Sequence, residues 1–431
     1  MQVSFAVNLL VFSFLLYKSS ARPEFNPFLI CTYIFYLLFF FVAPLVQLSV
    51  NQGNLVNGTL FRLDNAILTN IIILLSFVTI YTVNVNVNQS RYFKEKVDYL
   101  GIASDMGSLN IKVLFVLVGV VVCISVPFLL SSIQGESQFD FKEERSSSLI
   151  VKKFLLMIPF AALLRLMSEK KAIAKSKFII LFCVLLMCVF IVKNPITEKR
   201  NAIGPMYMTI LFFLFEDFFK KRKNFFITFF SVFVVLFPLS SLFTHKSGTL
   251  NEKWNGFVTT ITSIDKIGDV VYAHFLEIHY DAWSVVSNCI TYVEIYGYSL
   301  GKLLLGSIFF FVPRSVWATK PYGSGQTVVE GYIYRYGPDF TNISFPYPAE
   351  GYINFGLLGV IVFCIALALY FSKLQFNILK HDGRFYSAVY FSFYLFFLLR
   401  GDLMNGIAYY VGFLAACFVV DRIAYRKRSI S

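Results

Sequence analysis

Charged side chains are scarce in this 431-residue chain, where Asp, Glu, Lys and Arg together make up 15% of the residues. A soluble globular protein carries about 25% charged residues. Hydrophobic residues reach 57% of the chain, and Phe alone occurs 51 times. Too little polar surface is available to cover a compact body in water, so the composition excludes a purely soluble protein and indicates one built mostly within a lipid bilayer.

Signatures of nucleotide and metal chemistry are also missing. The sequence has no GxxxxGK[S/T] phosphate loop, no GxGxxG turn, no GxSxG elbow and no HExxH pair. The seven cysteines show no CxxC or Cys/His spacing, and six of them lie in apolar runs, where free Cys behaves as a small hydrophobe. We therefore expect no cofactor, no metal ion and no disulfide framework.

The net charge of +13 does not predict nucleic-acid binding, because Lys and Arg occur in short clusters between apolar runs. One set of alternate short loops carries roughly twice as many basic residues as the other, which is the asymmetry of cytoplasmic loops. It predicts a multi-pass membrane protein with a cytoplasmic C-terminus and an outer N-terminus. No Lys or Arg precedes the first apolar run, which favours a first span over a signal peptide.

About 20 apolar residues are needed to cross the hydrocarbon core as a helix. The sequence predicts an all-α polytopic membrane protein with about eleven transmembrane helices. The predicted spans are residues 3–17, 27–48, 65–84, 113–133, 149–167, 177–193, 204–219, 225–244, 350–372, 385–400 and 404–421.

The hydropathy divides the chain into three parts. Residues 1–244 hold about eight spans, and residues 350–431 hold about three more with a basic cytoplasmic tail. Residues 245–349 form a large extracytoplasmic loop, within which 300–312 is apolar but too short and too flanked by Gly and Pro for an ordinary span. We interpret 300–312 as a re-entrant or interfacial helix packed in protein.

The loop ends with the run Pro313-Arg314-Ser315-Val316-Trp317-Ala318-Thr319-Lys320-Pro321, followed by Gly325. Arg offers a bidentate fork for phosphate oxygens and Lys adds a point charge, so the pair suits the diphosphate of a lipid-linked substrate. The alternative is a pair of basic anchors beside an interfacial Trp.

Further charged residues lie close to apolar runs at the predicted outer face. We favour Glu350, in a run that continues to Asn354 and Gly356, as a carboxylate at the N-terminal end of a helix, with a general base as the alternative. Arg200 and the Arg400-Gly401-Asp402 turn are costly beside apolar runs unless they face a wet cavity or a partner. For the turn, the alternative to a cavity is a local Arg400–Asp402 pair. For His274, His279 and Asp281 we favour surface positions, with an acid/base cluster as the alternative. Arg165 is interpreted as snorkelling at a span end.

Together these runs resemble the Wzy-type oligosaccharide repeat-unit polymerases of O-antigen and capsule. The resemblance rests on the Pro-Arg-x-x-Trp-x-x-Lys-Pro run at 313–321, the Glu350 to Gly356 run that opens a span, Arg200 after a span, and Arg400-Gly401-Asp402 in a late outer turn. Arg314 also precedes Gly325 by the arginine-to-glycine spacing of such polymerases, whereas no second copy of that spacing starts from Arg200.

The resemblance implies a metal-independent glycosyltransferase with a GT-C-like membrane fold, located in the bacterial inner membrane. Its substrates would be glycans linked to undecaprenyl diphosphate. Its partners would be membrane lipid and, as the resemblance allows, a chain-length regulator protein. Arg314, Lys320, Arg200 and Arg400 would bind the diphosphate, and Glu350 or His279 would act as the base. Pro313, Trp317, Pro321, Gly325, Asn354 and Gly356 would shape the site.

Two other functions compete with polymerisation. An O-antigen ligase uses the same donor but needs a lipid A core acceptor, so supplying only the lipid-linked repeat unit separates the two. A lipid-linked oligosaccharide flippase, or another transporter, predicts ionisable residues near the bilayer midplane and no large outer loop. The sequence shows the reverse pattern.

Overall fold

The computed structural model describes residues 2–20, 25–50, 63–90, 111–133, 154–168, 175–193, 200–239, 250–276, 278–333, 343–379 and 385–424. Every regular element in these ranges is helical. The all-α prediction is therefore confirmed for this part of the chain.

The first half of the described chain contains helices α1 (Gln2–Ser20), α2 (Pro27–Val50), α3 (Ala66–Gln89), α4 (Ile111–Ile133), α5 (Ile158–Ser168), α6 (Lys175–Val192), α7 (Arg200–Leu214), α8 (Glu216–Phe219) and α9 (Arg222–Leu239). The second half contains α10 (Leu250–Ile261), α11 (Ile264–Phe275), α12 (Ala282–Tyr296), α13 (Lys302–Ile308), α14 (Ser324–Val328), α15 (Tyr347–Leu379), α16 (Phe385–Arg400) and α17 (Leu403–Ala424).

Seven helices of the described ranges are long and apolar enough to cross a membrane, namely α1, α2, α3, α6, α9, α15 and α17. Shorter apolar helices lie within or coincide with α4, α5, α7 and α16. These positions match the predicted spans in the sequence, and they confirm a polytopic helical membrane protein. The total of about eleven crossings and the orientation stay predictions.

Local sequence explains where α2 begins. Asn26 precedes the helix in an extended conformation, and its side chain accepts a hydrogen bond from the Leu29 N–H (3.2 Å). Pro27 follows at the first helical position, where its missing N–H costs nothing. The Asn26 amide also donates to Asn84 Oδ1 of α3 (3.0 Å), so the same residue joins two helices.

Asparagines on α3 hold the bundle together by hydrogen bonds between helices. Asn70 accepts from the Trp283 indole N–H (3.1 Å) and donates to Ser4 (2.9 Å). Asn84 donates to the Ser372 hydroxyl of α15 (3.1 Å). Buried amides in an apolar bundle are stable only with partners, so these residues fix how α1, α12 and α15 pack around α3.

Aromatic side chains fill the space between α2, α9 and α16. Phe396 contacts Phe233 (ring centroids 4.0 Å) and Phe229 (4.9 Å), and it also contacts Phe35 (5.7 Å). Offset and edge-on ring pairs stabilise by about 0.5–1.5 kcal/mol beyond their buried area. The abundance of Phe therefore serves internal packing as well as contact with lipid.

Helix α15 is broken near its start. Phe355 and Gly356 have non-helical backbone angles, and Gly356 has φ +64°. The Tyr347 hydroxyl nevertheless donates to the Phe363 carbonyl (3.0 Å), although residues 16 apart in one continuous helix would be about 24 Å apart. Residues 347–354 thus fold back against the beginning of the long helix formed by 357–379. We call residues 347–354 the fold-back segment.

The region 245–349 is rich in helices where the structure describes it, from α10 to α14. Within the apolar stretch 300–312, the helix is limited to Lys302–Ile308, and turns follow it to Pro313. Helix α13 packs against α17 and near the start of α15, so it is packed against protein.

The interpretation of Arg165 as snorkelling is wrong. Arg165 is 1% exposed, and its Nε lies 3.4 Å from Asp421 Oδ1 of α17. The Tyr386 hydroxyl donates to the other oxygen of Asp421 (3.1 Å). A span-end arginine looks alike in sequence whether it turns outward or finds a partner on another helix, so the pattern could not show this pair.

Candidate functional site

Glu350 lies on the fold-back segment and is 1% exposed. Its Oε2 accepts a hydrogen bond from the Ser324 hydroxyl (2.6 Å), and its Oε1 accepts from the Leu403 N–H (2.8 Å). Leu403 is the first residue of α17, where backbone N–H groups have no partner within the helix. Glu350 therefore accepts a hydrogen bond from a backbone N–H at the start of α17. The sequence favoured this role at the start of its own span instead.

Asp402 is the second buried carboxylate, and it accepts backbone N–H groups at the starts of two helices. Its Oδ2 accepts from the Gly325 N–H of α14 (3.0 Å), and its Oδ1 accepts from the Met404 N–H of α17 (2.9 Å). A Cβ on Gly323 would collide with this carboxylate, so only glycine fits there. Burial raises the pKa of Asp402, and the backbone N–H groups oppose the rise.

Arg314 and Lys320 lie together in the turns between α13 and α14. The Arg314 guanidinium donates to the carbonyls of Lys320 and Pro321 and lies 4.0 Å from the centre of the Tyr322 ring. The Lys320 ammonium donates to the carbonyls of Phe310 (2.6 Å) and Val312 (2.9 Å). We call residues 309–322 the basic loop, because these two cations hold its turns closed.

The two cations of the basic loop differ in how much they leave for a ligand. Lys320 is 7% exposed, and burial together with the nearby Arg314 lowers its pKa. Arg314 is half-buried and has five N–H donors. Two of its nitrogens each donate to one carbonyl, which leaves further N–H groups for a ligand. The structure thus favours Arg314 over Lys320 as a group that contacts an anion.

Arg400, the last residue of α16, reaches toward Asp281 at the start of α12. The Arg400 terminal nitrogen lies 4.0 Å from Asp281 Oδ1, while the Arg400 Nε is buried with no hydrogen-bond partner. Asp281 Oδ1 also accepts from the Ser344 hydroxyl, and its Oδ2 is buried without a hydrogen bond. Asp402 instead accepts backbone N–H groups, so Arg400 is directed to Asp281 rather than held in a local Arg400–Asp402 pair.

Burial raises the pKa of Asp281, and the Arg400 guanidinium and the Ser344 hydroxyl oppose that rise. The Arg400 side chain remains 26% exposed. It is therefore a cation with spare donors, held at one end of the bundle by a buried carboxylate.

Contacts join these parts into one cluster. Gly306 of α13 packs against Pro321 of the basic loop and against Met404 of α17. Ser324 and Gly325, three and four residues further on, contact Glu350 and Asp402. Arg314, Lys320, Glu350 and Arg400, which the sequence grouped from distant positions, therefore lie at one end of the bundle. We call this set, with Asp281 and Asp402, the polar cluster.

The remaining predicted site residues have local structural contacts. Pro313 accepts the N–H groups of Val316 and Trp317, and the Trp317 indole donates to Thr319 (3.2 Å). The Asn354 side chain accepts from Ser299 (2.8 Å) and from the Leu304 N–H (3.3 Å).

His274 and His279 shortly precede Asp281 of this cluster in the chain. His274 is 1% exposed, and its ring lies 5.5 Å from the half-buried His279 ring. The surface placement favoured for His274 and Asp281 is therefore wrong, since both are buried. Arg200 begins α7, and its side chain lies outside the described part of the structure.

Neither a protein-family model, nor a curated protein, nor a solved structure matches this chain. Within the described ranges, no group of three or more His, Cys, Asp or Glu side chains is placed to hold a metal ion.

Sequence reasoning missed two residues that build the polar cluster. Ser324 and Ser344 are small polar residues in a Gly- and Tyr-rich region, and nothing in their type predicts that each hydrogen-bonds a buried carboxylate. Asp402, which precedes an apolar helix, carried a usable signal, because Asp is a preferred residue before a first helical turn.

Proposed function

We propose that this protein is a glycosyltransferase that polymerises oligosaccharide repeat units carried on undecaprenyl diphosphate. The observation that supports it is the convergence of Arg314 and Arg400 with three buried carboxylates, Glu350, Asp402 and Asp281, at one end of a bundle of membrane-crossing helices. A lipid-linked diphosphate moves within the bilayer, and its charged group lies at the bilayer surface. Two arginines with unused N–H donors at a bundle end therefore suit it.

The reaction would join an acceptor sugar hydroxyl to the anomeric carbon of the donor glycan. The new C–O bond forms as the bond to the lipid diphosphate breaks, and the diphosphate leaves with the bonding electrons. Arg400 and Arg314 would stabilise that negative charge by donating from their unused N–H groups. The hydroxyl proton would pass to Glu350, with His279 as the second candidate base.

The proposal includes a GT-C-like arrangement of about eleven crossings, with the polar cluster on the outer face of the inner membrane and the C-terminus in the cytoplasm. Nucleotide sugars are absent from that face, whereas a lipid diphosphate donor carries its own leaving group. The basic residues of the alternate short loops support this orientation.

Glycan ladders from deletion and complemented strains, run on one gel, test the function. We expect the deletion strain to keep single repeat units and the complemented strain to show a ladder. Arg314→Ala and Arg400→Ala should each reduce polymer by more than about tenfold, because one charge-assisted contact to a diphosphate contributes about 1.5–3 kcal/mol. Lys266→Ala is the matched control, since Lys266 is an exposed cation on α11.

A ladder of normal length in Arg314→Ala and Arg400→Ala cells, with the chromosomal copy deleted, would refute the site. A deletion strain with an unchanged ladder would refute the function itself. Membrane fractionation of each variant shows whether the protein is still inserted.

A further inference from the structure

A cleft of about 530 Å³ opens beside the basic loop. Four tyrosines contribute to its wall, and the side chains that matter most are Tyr292, Tyr296, Tyr298, Tyr322, Lys302 and Glu330. Its volume falls within the range of sites that take small organic ligands. Pro321 and Tyr322 belong both to this wall and to the basic loop, so the cleft adjoins the polar cluster. We call it the tyrosine cleft.

The protein holds these rings in place and still leaves them accessible. The Tyr296 hydroxyl donates to the Gly331 carbonyl (2.8 Å), and its ring lies 4.8 Å from that of Tyr292. The Arg314 guanidinium supports the Tyr322 ring. Tyr296, Tyr298 and Tyr322 are nevertheless 58%, 46% and 48% exposed. Rigid aromatic groups that stay exposed offer contact area at little cost in conformational entropy.

Charge on the wall is balanced rather than cationic. Lys302 and Glu330 are both exposed and opposite in sign, and Glu330 Oε1 accepts from the Gln326 amide (2.6 Å). Such a wall has no excess of positive charge to attract a phosphate. Its phenol hydroxyls and charged groups also disfavour a hydrocarbon chain, since a buried polar group without a partner is costly. A ligand with apolar C–H faces and many hydroxyls satisfies both properties of the wall.

We propose that the tyrosine cleft binds an uncharged oligosaccharide by stacking sugar faces on Tyr298 and Tyr322 and by hydrogen bonds to their hydroxyls. The assignment rests on the proposed function in one respect, because it makes the bound oligosaccharide part of the glycan whose diphosphate lies near Arg314. The cleft thus separates recognition of sugar from recognition of the diphosphate.

Saturation-transfer NMR on the purified full-length protein in nanodiscs tests the assignment. The probe is the lipid-free oligosaccharide released by mild acid from the lipid-linked pool of deletion cells. We expect transfer to sugar ring protons, and about tenfold weaker binding in Tyr298→Ala and Tyr322→Ala. Tyr322→Phe keeps the ring over Arg314 and should bind within a fewfold of the parent protein. Tyr272→Ala, at an exposed tyrosine of α11, should bind like the parent protein.

Three outcomes would overturn the assignment. They are no transfer to the probe, binding by both alanine variants that is as tight as that of the parent protein, and displacement of the probe by an isoprenoid phosphate that carries no sugar. The last result would identify the cleft as a lipid site. Thermal melting of each variant shows whether it is folded. Because binding is measured without turnover, a cleft that fails to bind while polymer still depends on Arg400 refutes the cleft and leaves the function standing.

Discussion

Each carboxylate oxygen of Glu350 already accepts a hydrogen bond, one from the Ser324 hydroxyl and one from the Leu403 N–H. Each oxygen has a second lone pair, so a proton can be taken up without breaking either bond, and this is easier on the oxygen whose present donor can turn away. The Ser324 hydroxyl can rotate about its C–O bond, whereas the Leu403 N–H is fixed by α17. The Oε2 atom is therefore the one that would receive the proton.

We expect Glu350→Gln to abolish polymer while the protein remains folded. An amide oxygen still accepts the Leu403 N–H, but an amide cannot take up a proton at neutral pH, so the loss should exceed about a hundredfold. Glycan ladders together with thermal melting measure this. Glu294→Gln, at an exposed position of α12, is the control. Polymer at parental levels in Glu350→Gln would contradict the role of Glu350 as a base. Its only role would then be to accept the Leu403 N–H at the start of α17.

Asp281 gives a pH prediction for stability. Its pKa is raised in the folded state by burial. A carboxyl whose folded pKa exceeds its unfolded value stabilises the fold below the unfolded pKa, and this contribution is lost as the pH rises through the folded pKa. Asp281→Asn, which stays neutral, should therefore melt at a higher temperature than the parent protein near pH 8.

Thermal melts in detergent from pH 4 to pH 8 check this expectation. The advantage of Asp281→Asn should shrink toward pH 4, where the parent carboxyl takes up its proton. Ser344→Ala, which removes a hydrogen bond to the same carboxylate without removing the titrating group, should keep the parental pH trend. An advantage of Asp281→Asn that is independent of pH would contradict the argument.

Among the secondary-structure elements, the fold-back segment depends on three glycines. A Cβ on Gly351 would lie 2.7 Å from the Gly359 carbonyl oxygen, so the backbones of the two arms touch. Gly356 turns the chain with φ +64° and ψ −150°, a region that is almost restricted to glycine. Its missing Cβ would also approach the Tyr298 ring and hydroxyl at 3.1–3.3 Å.

We expect Gly356→Ala to destabilise the protein by about 1–3 kcal/mol, because the added Cβ strains the turn. It should also lower polymer yield, since the turn sets the position of Glu350. Gly119→Ala is the matched control, because a Cβ there meets no atom within 4 Å and α4 is an ordinary helix. Thermal melting of both variants measures the difference, and equal melting temperatures would contradict the strain.

At the scale of the whole molecule, the sequence predicted the membrane class and the positions of the apolar helices. Hydropathy reports these features because each depends on composition over a helix length. The pairing of Arg400 with Asp281 and of Arg165 with Asp421 depends on which helices are neighbours. A single sequence carries no signal for that. The reversal of the chain at Gly356 was hidden for a further reason, because an apolar run looks the same whether it is straight or folded back.

The buried Arg165–Asp421 pair predicts how the opposite end of α17 is held. We expect Arg165→Met to destabilise the protein by about 2–3 kcal/mol, below the usual 3–5 kcal/mol for breaking a buried pair, because Asp421 is 31% exposed. Arg165→Met combined with Asp421→Asn should recover part of the loss, since no unpaired charge remains. Thermal melting of the single and double variants measures both effects, and additive losses would contradict the pairing.

The reversal at Gly356 has a consequence for how a substrate arrives. Tyr347 lies level with Phe363, about 9 Å along the helix from Leu357 at 1.5 Å per residue. Gly351, next to Glu350, lies against Gly359, so Glu350 is below the turn but nearer to it than Tyr347. A molecule dissolved in water would have to descend into the protein to reach that depth. One anchored by an isoprenoid tail already travels at the level of the headgroups, and it could enter sideways between helices. Under the proposed function, the site would therefore be reached more easily by carriers that stay in the membrane than by freely diffusing sugars.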